Sequence, residues 1–145
     1  ETFAAVRATF AADSVDNAEC LATIKRVLEE QDYLLDPHTA IAYAAAERLR
    51  GDNPVLVAAT AHWAKFGPSV FRALHGIAPD GNLPADAAAL TGCQLNERIA
   101  DETGKHDIPA GLASLDHLPA RFSEVIDGNV ASIEDAARNF LERRS

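Results

Sequence analysis

The chain has 145 residues, 48% of them hydrophobic, which is the size and composition of one domain with a core of its own. Its formal net charge of −9 has no compensating basic block, so a nucleic-acid backbone or an anionic membrane surface would be repelled, and neither is expected as a partner. No apolar run approaches the roughly 18 residues of a membrane span, and Cys20 and Cys93 lie in no C-x-x-C or Cys/His ligand spacing, so free thiols and a cytoplasmic location are expected.

The first predicted element lies in "DNAECLATIKRVLEEQ". Leu21, Ile24, Val27 and Leu28 recur at helical spacing, and Asp16 with Glu19 forms a D-x-x-E capping box, which predicts a helix over 17–31. In "DPHTAIAYAAAERLRGDN", Asp36 is an N-cap, Pro37 takes the first helical position, and Gly51 stands just past the end. A second helix over 37–50 follows. "PVLVAATAHWAKFG" then runs apolar without alternation from Val55 to Ala59, the pattern of a parallel strand buried on both faces, with Pro54 at its beginning. "GPSVFRALHG" supplies Gly67 and Pro68 at a helix start and Gly76 at its end.

Beyond Gly76 the signals weaken. A short helix is predicted over 85–91, and "DETGKHDIPAGLASLDHLPARF" shows no sustained period, so an irregular path over the core is expected. In "SIEDAARNFLERR", Ser132 and Asp135 stand in capping relation ahead of a stripe of Ile133, Ala136, Ala137, Phe140 and Leu141. The expected organisation is one unit, with a helix-strand-helix core over 16–76 and a wrapping tail over 77–145. A single buried strand needs neighbours that this sequence does not offer. With Glu1 first and no methionine, the chain is expected to be a piece of a larger polypeptide whose remainder supplies them.

Ligands of doubly wound sheets bind at the carboxyl ends of strands, here Thr60, Ala61 and His62. The first N–H groups of the Asp36 helix lack intrahelical partners and form a natural site for an anion or polar ligand, with His38 and Thr39 on that turn. If both ends converge, Asp36, His38, Thr39, Thr60 and His62 make one polar cluster. Each also has a structural role open to it: Thr60 as a strand-end cap, the histidines as loop supports, Asp36 as a helix cap, and Lys65 as a lysine lying over Trp63. Asp36, His38 and His62 could also form a two-histidine, one-carboxylate metal site of a hydrolase, although their spacing matches no motif.

"YLLDPHTAIAYAAAERL" followed by "NPVLVAATAHWAKFGPSVFRAL" resembles the late segment of threonine synthase, in which a DPHT helix precedes an apolar strand ending in TAHPAKF. The likeness is close over 13–74 and looser at "LPADAAAL" and "LPARFSEV". Trp63 stands where that family usually has proline, and Asp32 where a glycine commonly ends the preceding helix. The resemblance implies a C-terminal fragment of such an enzyme: an α/β, predominantly helical piece of a doubly wound parallel sheet, of the tryptophan-synthase-β-like pyridoxal-phosphate fold, with a helical C-terminal tail.

It also implies conversion of O-phospho-L-homoserine and water to L-threonine and phosphate with pyridoxal phosphate. Thr60 would meet the cofactor's ring nitrogen, while Asp36, His38, Thr39, His62 and Lys65 would wall the site. The family's Schiff-base lysine belongs to an early S-F-K-D-like motif that Lys25, Lys65 and Lys105 do not match. The fragment alone is therefore expected to be inactive. The rival expectation is a non-catalytic helical module that pairs its strand edges with a partner or a second copy.

Overall fold

The Asp16 carboxylate accepts the backbone N–H of Glu19 at 2.8 Å and starts α2, Asn17–Gln31, the second helix after α1, Thr2–Thr9. The computed structural model describes residues 2–120, 123 and 125–142, so Arg121, Phe122 and Glu124 of "LPARFSEV" lie outside the described residues. Only half of the expected capping box forms, because the Glu19 carboxylate turns to Arg48 of the next helix. α2 ends at Asp32, whose φ of 54° is left-handed, a conformation that its short polar side chain tolerates in place of glycine.

α3, Pro37–Leu49, begins as its sequence predicts, with Asp36 as cap and proline in the first turn. Small buried residues Ala40 and Ala44 let it lie close against α2, whose inner face is Cys20, Thr23, Ile24 and Val27. Charged groups close the rim of this pair, with Arg26 on Glu47 and Arg48 Nη1 2.7 Å from Asp13 Oδ2.

The expected buried strand is not formed in this chain. Residues 54–60 take up no strand, and none occurs among the described residues. Val55 is 48% and Leu56 97% exposed, while Val57 is partly covered. A strand is stable only as a member of a ladder, and among the described residues no other segment comes alongside to accept or donate its backbone hydrogen bonds. Helix, unpaired run and helix therefore replace helix, strand and helix.

The run ends in a 3-10 turn, Trp63–Phe66, which leads directly into α4, Gly67–His75, closed by Gly76 at φ 65°. α4 packs on α2 and buries Val70, Phe71 and Ala73.

The tail departs further from its sequence reading. α5, Ala85–Ala88, stops short of residue 91, because Thr91 caps the next helix: its hydroxyl accepts the Gln94 N–H and the Gln94 side chain accepts the Thr91 N–H. That next helix, α6, Gly92–Thr103, was not foreseen. It packs on α4 and brings Leu95, Ile99 and Ala100 into the same apolar core as Phe71, Ile24 and Val27. α7, Ala110–Ala113, and a 3-10 turn at Leu115–His117 follow. α8, Val130–Glu142, is capped by Asn129, which accepts the Ser132 N–H at 2.9 Å, so Ser132 is not the cap. No residue of α8 is buried, and its Val130 and Ile133 stand exposed.

Candidate functional site

Asp36 sits under the first turn of α3 with only 3% of its surface exposed. Its carboxylate accepts the backbone N–H groups of His38 at 3.0 Å and Thr39 at 3.3 Å, and also the Thr39 hydroxyl. The expectation of an anion site here is thereby corrected: the N–H groups of the first turn are satisfied from within, and an incoming anion would meet a fixed negative charge. Beneath the same turn, the Cys20 thiol donates to the Pro37 carbonyl at 3.4 Å. Burial, with the Asp36 charge behind it, pushes that thiol above its ordinary pKa, so it stays protonated and keeps its donor.

The second wall comes from the end of the extended run. His62 Nδ1 accepts the Ala64 N–H at 3.2 Å and caps the 3-10 turn, so the neutral ring carries its proton on Nε2. Trp63 is buried, and its indole N–H has no hydrogen-bond partner among the described residues. His38 reaches across from α3 and packs on Phe66, ring centroids 4.9 Å apart, which fixes one wall to the other.

Between the walls lies a cleft of about 270 Å³. Asp36, Thr39 and His62 line it, together with Ala59 and Ala61. Thr60, between those two alanines, is exposed and outside the lining, and its hydroxyl has no hydrogen-bond partner among the described residues. His38 braces the cleft from outside. Lys65 is exposed and borders a different hollow, of about 350 Å³, with Gly67, Cys93, Asn96 and Asp116.

A third wall was not singled out in the sequence. Gly104 ends α6 at φ 72° and turns residues 104–107 over the cleft. Lys105 Nζ lies 2.7 Å from Asp32 Oδ1, and Asp107 Oδ2 lies 3.6 Å from His62 Nε2. No spacing rule could place this loop without α6, which carries it there. Thr91 and Gln94 were the signal, a T-x-x-Q capping box ahead of apolar residues.

The hydrolase alternative finds no support in the geometry. Among the described residues no group of three His, Cys, Asp or Glu side chains is arranged to hold a metal ion. His38 lies on Phe66, and His62 Nδ1 is taken by the turn. No helix among the described residues is long and apolar enough to cross a membrane.

Comparison with known proteins adds the deciding observation. The sequence model described as threonine synthase, C-terminal, matches residues 39–136. The chain belongs to the threonine synthase C-terminal family. The matched span takes in Thr39, residues 59–63, Asn96 and the 104–107 loop, and begins just after Asp36 and His38. Threonine synthase-like 1 of Mus musculus is 44% identical over 66 residues, 45% of this chain and 9% of that protein. Threonine synthase of Saccharomyces cerevisiae is 41% identical over 76 residues, 46% of this chain and 15% of that protein. A crystal structure of pyridoxal-phosphate-bound threonine synthase from Brucella melitensis superposes with a TM-score of 0.57 at 30% identity, covering 94% of this chain and 23% of that one. The chain thus spans a small part of the length of each relative.

Proposed function

We propose that the chain is the C-terminal part of a threonine synthase and forms one wall of its pyridoxal-phosphate site. The whole enzyme would convert O-phospho-L-homoserine and water to L-threonine and phosphate. One observation carries the reading: an exposed, unpartnered Thr60 hydroxyl emerges between two alanines that line a polar cleft, inside the span that the family model matches.

The residues present fit the cofactor. Pyridoxal phosphate, when bound, supplies an electron sink for carbanions formed on an amino-acid substrate. Thr60 would hold the ring nitrogen with a neutral hydroxyl, which leaves that nitrogen largely unprotonated where a carboxylate would keep a proton on it. Asp36, Thr39 and His62 wall the cleft, and His38 with Lys65 shapes the turn beside it. None of the three lysines, Lys25, Lys65 and Lys105, matches the family's Schiff-base motif. Lys105 does reach the cleft, but Asp32 holds it there. Sheet neighbours for residues 54–60 and the Schiff-base lysine belong to the remainder of the enzyme, and the isolated chain is inactive. The free thiols of Cys20 and Cys93 suit a reducing cytoplasm.

Complementation tests this. The isolated chain, given pyridoxal phosphate and O-phospho-L-homoserine, is expected to release no phosphate. Added to a threonine synthase lacking its own C-terminal part, it is expected to restore turnover, and Thr60→Ala to lower kcat and shift the bound cofactor's absorbance. Turnover by the chain alone, or a Thr60→Ala complex with unchanged kcat and spectrum, overturns the reading.

A second arrangement is favoured by Leu56, 97% exposed on an unpaired run: two copies of the chain pairing their 54–60 segments.

A further inference from the structure

Asn96 is a polar residue on the inward face of α6, 6% exposed and flanked there by Leu95, Ile99 and Ala100. Its Nδ2 donates to the Ala64 carbonyl at 2.8 Å, while its Oδ1 has no hydrogen-bond partner among the described residues. Leaving a buried acceptor unpaired is unfavourable, so an apolar residue here would be expected unless the donor performs a task. The task is visible at Ala64. That residue's carbonyl is held by Asn96, and its N–H is held by His62 Nδ1. Gly67 completes the arrangement, because a Cβ at that position would stand 2.7 Å from Asn96 Oδ1.

We propose that Asn96 is a positioning residue of the cleft: by fixing the backbone at Ala64 it holds the His62 ring with Nδ1 on the turn and Nε2–H toward the cleft. Asn96 is not itself among the residues that line the cleft. It acts through one residue, Ala64, whose two flanking peptide groups face Asn96 and the cap His62, and the absence of a side chain at Gly67 is what lets its amide approach. The bearing of this device on catalysis rests on the function proposed above.

The test reads His62 directly. In the 145-residue chain labelled with 15N, the His62 ring is expected to show the single Nε2–H tautomer, and the Asn96 side-chain amide to exchange with solvent about ten-fold more slowly than that of exposed Asn53, the factor that one buried hydrogen bond carries. Asn96→Asp keeps the shape and removes the donor; the His62 signals are expected to move to a mixture of tautomers. Gly67→Ala, which displaces the Asn96 amide, is expected to reproduce that change, and the double variant to add nothing further. A His62 spectrum unmoved by both substitutions in folded protein overturns the proposal. If neither variant folds, the unaltered chain decides: Asn96 amide exchange as fast as that of Asn53 overturns it, and slow exchange with one tautomer upholds it. These signals are read without cofactor, so a chain that restores no turnover to a threonine synthase lacking its own C-terminal part would sink the proposed function and leave this positioning role standing.

Discussion

His38 lays its ring against Phe66, centroids 4.9 Å apart and planes inclined by 58°, and so joins the start of α3 to the turn that follows the extended run. The two residues stand 28 positions apart in sequence, and their contact sets how the two ends of the cleft face each other. Phe66→Ala removes the ring pair and part of its apolar burial, with an expected loss of about 1–3 kcal/mol in urea unfolding. Phe66→Leu should recover the burial term and not the ring term. Trp63, the only tryptophan, buried and next in sequence to the cap His62, reports both transitions.

Asp36 is expected to matter more than an exposed helix cap. Three donors converge on its carboxylate, and two of them are backbone N–H groups with no other acceptor in the helix. Asp36→Ala should cost about 1–2 kcal/mol by thermal or urea melts, the usual loss for an N-cap, with a further penalty for the stranded Thr39 hydroxyl. Asp36→Ser keeps a short oxygen acceptor and should lie between wild type and alanine.

These contacts mark how far the sequence was legible. Asp16, the Asp36–Pro37 pair and Gly76 are local devices: each fixes a helix end through atoms a few residues away, and each stands where its pattern predicts. Asp32 follows the same logic, adopting the left-handed conformation that a short polar side chain permits. Residues 54–60 could not be read this way, because an apolar run becomes a strand only when other backbone comes alongside. α6 was legible and went unread; its Thr91–Gln94 box is as local as the others, but Asn96 and Arg98 interrupt the apolar stripe. The 104–107 wall depends on where α6 points, which is tertiary information.

Acid should uncouple part of the α2–α3 rim. The hydrogen bond from Arg48, and then the N–H of Ser14, hold the Asp13 carboxyl below its ordinary value of 3.8. A lowered folded pKa means that the folded state gives up its proton more readily than the unfolded one. The associated stability is present above pH 3.8 and is lost as pH falls through the lower folded value. Wild type and Arg48→Ala should therefore differ in urea midpoint at neutral pH and converge below that point. A difference that persists unchanged into strong acid would show that Asp13 is not the group responsible.

The two thiols should differ in reactivity. Cys20 is buried and donates to Pro37, with its pKa raised first by burial and then by the Asp36 charge, whereas Cys93 is only partly covered and lies at the 350 Å³ hollow. Thiolate, not thiol, attacks disulfide reagents. Near neutral pH a chromogenic disulfide is expected to label one thiol per native chain quickly, with Cys93 identified by mass spectrometry, and to reach Cys20 only on unfolding. Rapid labelling of Cys20 in the folded chain would contradict the burial of the turn beneath α3.

The exposed run makes a prediction about association. Leu56 is 97% exposed and Val55 48%, on backbone without a ladder, and such an edge pairs with whatever strand can reach it. In the isolated chain the available strand is the same run of a second copy, so sedimentation is expected to show a concentration-dependent dimer. Leu56→Lys should weaken it by placing like charges together, and Val57→Pro should weaken it by removing a backbone donor and locking φ. Neither substitution touches the α2–α4 core, so both variants should keep the wild-type urea midpoint. Joined to the remainder of a threonine synthase, the run would have its neighbours within one enzyme, and the self-association of the isolated chain should disappear with complementation. A strictly monomeric isolated chain at high concentration would show that residues 54–60 are covered by a rearrangement within the chain itself.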